Sequence, residues 1–337
     1  MVATRADVAR LAGVSSSTVS YVISGQRTIS AATKERVEQA MRELDYTPNV
    51  FAQGLAGARG GIVALHYPYS TRGVTSSEFE YVSAVAERAR VRGYSLLLWS
   101  HPIDDLEGLK SLVSQRLVDG VILMELTADD QRVQVMKRTR VPFVTIGRPD
   151  DSEGLVFTDN DYESMGRQAI DHLADLGHTS IAFLSQTSGP LDRGYGPLLR
   201  VAKSLELPVR RRGVHLVTVP AHDSVQGGRD AFARFAALEP RPTGVVAFNE
   251  MATAGFVHAA TVAGTAIPAD VSLVALSMGH IAAETMSPPL TTVTPSSEQI
   301  ATTAVDDLAD LIEGRSSDAP QVLIAPTLTV RESSASA

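Results

Sequence analysis

Five small hydroxyl side chains, Ser15, Ser16, Ser17, Thr18 and Ser20, crowd one short stretch, LAGVSSSTVSYVISG (Leu11 to Gly25), with the phenol of Tyr21 beside them. Such groups can cap helices, hold phosphate oxygens or reach the edges of bases. A serine-rich run is otherwise a flexible linker. Here Leu11, Ala12, Val14, Val19, Val22 and Ile23 interrupt it at regular spacing, which a linker does not need.

A second set of polar residues falls where apolar runs end. Tyr67 and Tyr69 follow GIVALH, Glu125 follows DGVILM and Arg148 follows PFVTIG. Asp159 lies in LVFTDND, Arg193 in LDRGY, Asn249 and Glu250 follow VVAF, and Ser277 follows LVAL. Carboxylates, amides and phenols gathered at strand ends suit a small polar ligand, because open α/β sheets bind ligands there. Each of them can equally cap a strand or pair with a neighbour.

The elements that carry the hydroxyls read as follows. Thr4 caps a short helix, RADVARLA, with Val8, Leu11 and Ala12 on one face and Gly13 at its end. Ser15 caps a second helix whose Val19, Val22 and Ile23 recur at i, i+3, i+4, and Gly25 closes it. Two short helices joined by a Gly-Val turn make a helix-turn-helix. A third helix, capped by Ser30, turns Val37, Ala40, Met41 and Leu44 inward. In such a unit the start of the second helix faces base edges while small hydroxyls and N–H groups hold phosphates. Ser16, Ser17 and Tyr21 lie opposite the valines; Ser15, Thr18 and Ser20 are short enough for a close approach to the backbone. Taken singly, any of these serines reads equally well as a cap or a solvated surface group.

DVARLAGVSSSTVSYVISG and ISAATKERVEQAMRELDYTPNVFAQGLAG together resemble the LacI/GalR family of bacterial transcription regulators. The resemblance runs over the whole chain and is densest in the first 57 residues. It implies a homodimer that binds double-stranded DNA at a palindromic operator, as a repressor, with its affinity controlled by a small-molecule effector of unidentified chemistry. By position it assigns base reading to Ser16, Ser17 and Tyr21, and phosphate contacts to Ser15, Thr18, Ser20, Ser24, Thr33 and Tyr46. Relatives usually carry Asn where Ser24 stands. None of the base-facing residues is Arg, Gln or Asn, so no strong bidentate base contact is available.

TPNVFAQGLAGARGG follows the head. Gly54 and Gly57 each cost about 1 kcal/mol relative to Ala inside a helix, so this segment should not hold a helix alone; a plain linker is the alternative. The resemblance matches Asn49, Ala52 and Leu55 to a hinge helix that folds on DNA and wedges a leucine into the minor groove.

From Gly61 onward strands and helices alternate, and after LVFTDND the rhythm restarts. Two rounds of βα alternation predict two doubly wound parallel sheets. The fold expected is a small all-α helix-turn-helix head plus an α/β two-lobed body, similar by resemblance to periplasmic binding proteins. The expected divisions are 1–46 for the head, 47–59 for the hinge and 60–332 for effector binding and dimerisation. Within the body the first lobe is 60–159 plus 291–319 and the second 160–290 plus 320–332, with 333–337 as a tail. SPPLTTV, Ser287 to Val293, resembles the family's last crossover to the first lobe. VALSM stands where relatives read VGFDD, so Ser277 replaces an acid, and Leu191 replaces a ligand-binding Arg near Arg193. Both departures point away from a routine hexose.

The bulk composition fits. The 337 residues carry a net charge of −8. Residues 1–59 hold seven Lys/Arg against five Asp/Glu, a net of +2, which leaves −10 for the rest and suits a DNA-reading module on an acidic body. There is no cysteine, no secretory pattern and no apolar run long enough to span a bilayer, so the expectation is a cytoplasmic protein without a membrane partner. No nucleophile, metal, cofactor or phosphate-loop motif appears. His172 and His178 read as surface or cap histidines. The reading from another class is a small-molecule binding protein whose head has lost DNA binding.

Overall fold

The computed structural model describes residues 3–24, 27–46, 60–68, 75–186, 194–315 and 318–337. The head consists of α1 (Arg5–Ala12), α2 (Ser16–Ser24) and α3 (Ala31–Glu43). Thr4 and Asp7 form a reciprocal capping box at the start of α1, and Gly13 ends it at φ 65°. The Ser15 hydroxyl accepts from Thr18 N at 3.1 Å to start α2, and Ser30 caps α3. Val8, Ala9, Ala12, Val19, Val37 and Ala40 form the core. Leu11, expected inside, is 50% exposed. The buried stripe of α1 runs through Val8, Ala9 and Ala12, and at about 100° per residue Leu11 falls well off it.

The body contains two six-stranded sheets among the described residues. The first uses β1 (Ile62–His66), β2 (Ser95–Trp99), β3 (Gly120–Leu123), β4 (Phe143–Ile146), β5 (Phe157–Asn160) and β11 (Gln321–Ile324). The second uses β6 (Ser180–Gln186), β7 (His215–Ala221), β8 (Gly244–Ala247), β9 (Ser272–Leu276), β10 (Thr291–Thr294) and β12 (Thr327–Thr329). Their orders, β11-β5-β4-β3-β1-β2 and β12-β10-β9-β8-β6-β7, are equivalent. Every pairing is parallel except β12 against β10. The helices α4 (Ser76–Val91), α5 (Leu106–Ser114), α6 (Gln131–Lys137) and α12 (Ser297–Glu313) belong to the first lobe; α7 (Tyr162–Asp175), α8 (Gly196–Arg212), α9 (Val225–Ala236), α10 (Glu250–Val262) and α11 (His280–Thr285) belong to the second. Each sheet has an apolar cluster on both faces, as a doubly wound sheet must.

Three expectations need correction. The strand in SPPLTTV, β10, pairs with β9 and belongs to the second lobe, so the return to the first lobe comes after it, through α12. Next, β11 pairs with β5 in the first lobe rather than lying in the second. Carboxylates fix this return: Arg88 of α4 and Arg92, which caps it, bind Asp306 of α12, and Arg92 also reaches Asp310. Residues 333–337 are not a loose tail. Ser333 is buried, donates to Leu273 O and accepts from Thr291 N. His178 is likewise buried, with Nδ1 at Thr243 Oγ1 and Nε2 at Ala335 O, and His172 Nε2 meets Ser334 Oγ. Both histidines therefore hold the last residues against the second lobe, and burial holds both below the ordinary histidine range. The helix α8 runs through the buried Pro208 to Gly213, which caps it at φ 64°.

Candidate nucleic-acid interface and ligand cleft

On α2, Ser17 is exposed and Tyr21 half-buried four residues later, while Val19 is fully buried on the opposite side. That spacing sets Ser17 and Tyr21 one above the other on a free face. Ser16 is half-buried beside them. The Arg27 guanidinium lies over the Tyr21 ring at 5.7 Å, adding a cation to the same surface. Around it the hydroxyls are tied locally: Ser15 Oγ lies 2.8 Å from both Ser17 Oγ and Thr18 Oγ1, and Ser20 Oγ accepts from Arg5 at 2.8 Å. Thr33 shares the α3 cap with Ser30, and Tyr46 packs against the head core. The Ser24 side chain, Asn49, Ala52, Leu55, Tyr69 and Arg193 lie outside what is described.

Between the lobes a cavity of about 140 Å³ opens at the carboxyl ends of both sheets. Glu125, Asp159, Asn249 and Ser277 line it, with Phe248, Tyr81, Tyr162, Tyr195, Glu78, Asp223 and Glu250. Asp159 is 3% exposed, and burial pushes its carboxyl up to about 6, against the opposing pull of Arg148. Its Oδ1 accepts from Asn160 N at 2.8 Å, and its Oδ2 has Arg148 at 3.5 Å and no hydrogen-bond donor. Asn249 caps α10 through Oδ1, which leaves its buried Nδ2 without an acceptor. One acceptor and one donor thus face the cavity with spare capacity. Ser277 holds φ 52°, and its counterpart in the first lobe, Gly147 after β4, holds φ 94°. Both strand ends turn left-handed into the cleft, one with glycine and one with a strained serine.

A buried network supports Glu125. Arg132, 1% exposed, binds Asp130, donates to Glu125 O at 2.9 Å and meets His66 Nδ1 at 3.2 Å. With Nδ1 accepting, His66 donates from Nε2 to His101 O at 3.1 Å. Burial, then the Arg132 charge, pushes this histidine down to about 4, so it stays neutral in the fold.

Two glutamates clasp the lobes across the cleft. Glu250, from the second lobe, accepts from Ser76 N at 2.8 Å and Ser77 N at 3.2 Å, the first amides of α4 in the first lobe. Glu80 of α4 accepts in turn from His280 N at 2.9 Å, the start of α11 in the second lobe. Each carboxylate meets the positive end of the other lobe's helix. At the other margin Ala128 N donates to Gly194 O at 2.6 Å and Gly196 N to Leu126 O at 3.1 Å.

Comparison with known proteins agrees with this architecture. Residues 4–49 match the family described as "Bacterial regulatory proteins, lacI family", and residues 170–334 match "Periplasmic binding protein-like domain". The chain is 30% identical to the ribose operon repressor of Escherichia coli (strain K12), over 98% of this chain and 99% of that one. It belongs to the LacI family of bacterial regulatory proteins. The transcriptional repressor PurR of Mannheimia succiniciproducens is 29% identical, over 98% of each chain. Among solved structures, the lac repressor dimer bound to operator and the anti-inducer ONPF superposes with a TM-score of 0.82 at 27% identity, over 99% of this chain and 100% of that one. The complex of the regulator CelR with cellobiose gives 0.73 at 26%, over 98% and 99%.

Within this LacI-family body, the cleft brings together Glu125, Asp159, Asn249 and Ser277 as the sequence predicts. Arg148 stands behind Asp159, its guanidinium 5.5 Å from the Phe157 ring. Tyr67 is a correction: it is 2% exposed in the first lobe's core. It shares the strand face of Val63 and Leu65, which points beneath α4 and α12 rather than along the strand. The cleft also takes in Tyr81, Tyr162 and Asp223, which come from helices and a loop rather than strand ends. The clasp by Glu250 was also missed, although a glutamate at a helix start after a strand was a visible signal.

Proposed function

We propose that this chain is a sequence-specific repressor that works as a homodimer in the bacterial cytoplasm, binding a palindromic operator and releasing or gripping it as a small effector changes the lobes. It acts by binding, without catalysing a reaction. The observation that carries this reading is the pairing of a free Ser17–Tyr21 face on α2 with a polar cleft that the two lobes close around. Ser16, Ser17 and Tyr21 read bases; Ser15, Thr18, Ser20, Ser24, Thr33 and Tyr46 hold phosphates. Asn49, Ala52 and Leu55 form the paired hinge that enters the minor groove.

In the cleft, the Asp159 carboxylate accepts from ligand hydroxyls or an amine, the Asn249 amide donates, and Phe248 packs on an apolar face. Glu125 and Ser277 complete the polar lining, and Tyr69 and Arg193 join the effector contacts. The effector is therefore a compact polar molecule rich in hydrogen-bond donors. The names of the relatives support this class of ligand, a ribose operon repressor and a cellobiose-bound regulator among them.

Selection of duplexes from a random pool tests the assignment. The full chain should enrich a palindrome, and Tyr21→Ala should change preference at defined half-site positions, since phosphate contacts carry no sequence information. An unchanged motif with Tyr21→Ala overturns the role given to Tyr21; no enrichment at all returns the chain to a plain ligand-binding role.

A further inference from the structure

On the first lobe, Lys110, Arg116, Arg138 and Arg140 line a groove of about 550 Å³ between the carboxyl ends of α5 and α6. No carboxylate shares that lining among the described residues. Lys110 pairs with Glu107 on the exposed surface. Cations at helix ends offset the helix dipole, but Arg116, Arg138 and Arg140 all lie beyond the last helical residue. The groove thus concentrates four cations on a part of the chain that carries −10.

The topology says which way the groove faces. The loops holding Arg116, Arg138 and Arg140 lead into β3 and β4, so they lie at the opposite end of the parallel sheet from the cleft. The chain coming from the head enters β1 at that same end. Gly60 N and Gly61 N donate to the two carboxylate oxygens of Asp119 at 3.0 and 2.6 Å, three residues after Arg116. Since β1, β3 and β4 are adjacent, the starts of β3 and β4 lie within about 10 Å of the point where the head is attached. The groove therefore opens at the end of the first lobe where the chain from the head arrives.

We propose that this groove is a second DNA-contacting surface, in which Lys110, Arg116, Arg138 and Arg140 take duplex phosphates nearest the hinge. The proposal rests on the DNA-binding reading of the head. A second copy of the same face is the wrong occupant, because two such grooves would oppose cation to cation; a duplex carries one negative charge per about 1.7 Å. The groove adds affinity without adding base specificity, and makes operator binding more salt-dependent than the head alone would.

The test compares the full chain with K110Q/R116Q/R138Q/R140Q. Operator affinity is measured between 50 and 200 mM salt (roughly the range in which phosphate contacts dominate), and dimer mass by sedimentation. The variant should select the same motif, sediment unchanged, bind at least about tenfold more weakly, and show a salt slope smaller by about 0.9 per contact removed. An unchanged slope in a chain that still selects its motif overturns the groove alone, as does weaker binding explained by loss of the dimer. Failure of the unsubstituted chain to select any motif overturns the reading of the head as well as the groove.

Discussion

Asp159 and His66 stand about the same distance from their ordinary protonation behaviour, in opposite senses for stability. The Asp159 carboxyl, raised to about 6 by burial, binds a proton in the fold more tightly than in the unfolded chain, so its ionisation costs stability above pH 6. That cost disappears as pH falls through the folded value toward the unfolded one. His66, lowered to about 4, contributes stability that is complete above its unfolded value and is lost as pH falls toward 4. Each shift corresponds to about 3 kcal/mol, and between pH 6 and 4 the two oppose each other. Asp159→Asn separates them, because the amide oxygen still accepts from Asn160 N. The variant should be more stable than the parent by about 2–3 kcal/mol at pH 7.5 and equal to it near pH 4, measured by urea unfolding at both values. Equal stability at pH 7.5 would mean that Asp159 is not strained by its burial. At this scale much of the cleft was legible in the sequence: Asp159, Glu125, Asn249 and Ser277 follow from the rule that ligand groups gather where strands end. Tyr67 obeys that rule in sequence and breaks it in space, because strand parity turns its ring into the core with Val63 and Leu65.

Among the elements, α4 is used by both lobes. Its first amides are held by Glu250 and its own Glu80 holds α11, while its other end is fixed to α12 through Arg88 and Arg92. A carboxylate acceptor is worth more than a neutral one, about 1.5–3 kcal/mol against 0.5–1.5. Glu250→Gln should therefore raise hydrogen exchange at the Ser76 and Ser77 amides by about tenfold or more, with amides deep in β3 unchanged. Unaltered exchange at Ser76 and Ser77 would show that the clasp does not hold the cleft. The alternation of strands and helices was readable along the whole body because parallel strands buried on both faces are short apolar runs. The exchange of β10 and β11 between lobes was not readable. Both are four-residue strands, and which sheet receives each depends on the path of the chain between lobes, which periodicity does not encode.

For the whole molecule, the two lobes are equivalent sheets facing each other, and the chain passes between them before α7, before α12 and after β11. The lobes touch along the margins of the cleft. One margin lies at Gly279, where a Cβ would sit 2.6 Å from Ser76 Oγ and 2.9 Å from Ser77 N. The serine side chain can turn away; the backbone amide cannot. Gly279→Ala should force the lobes apart at the clasp without touching the head. If closure sets the spacing of the hinges, operator affinity must respond, since an equilibrium between two arrangements shifts with whatever favours one of them. The decisive measurement is the dissociation constant of the full-length chain for its selected operator, with and without Gly279→Ala, at one salt concentration and with no effector present. A change of about tenfold or more, corresponding to about 1.4 kcal/mol, with the same selected motif and raised exchange at Ser77, is the result expected of a cleft coupled to DNA. Raised exchange at Ser77 with an unchanged dissociation constant would contradict it.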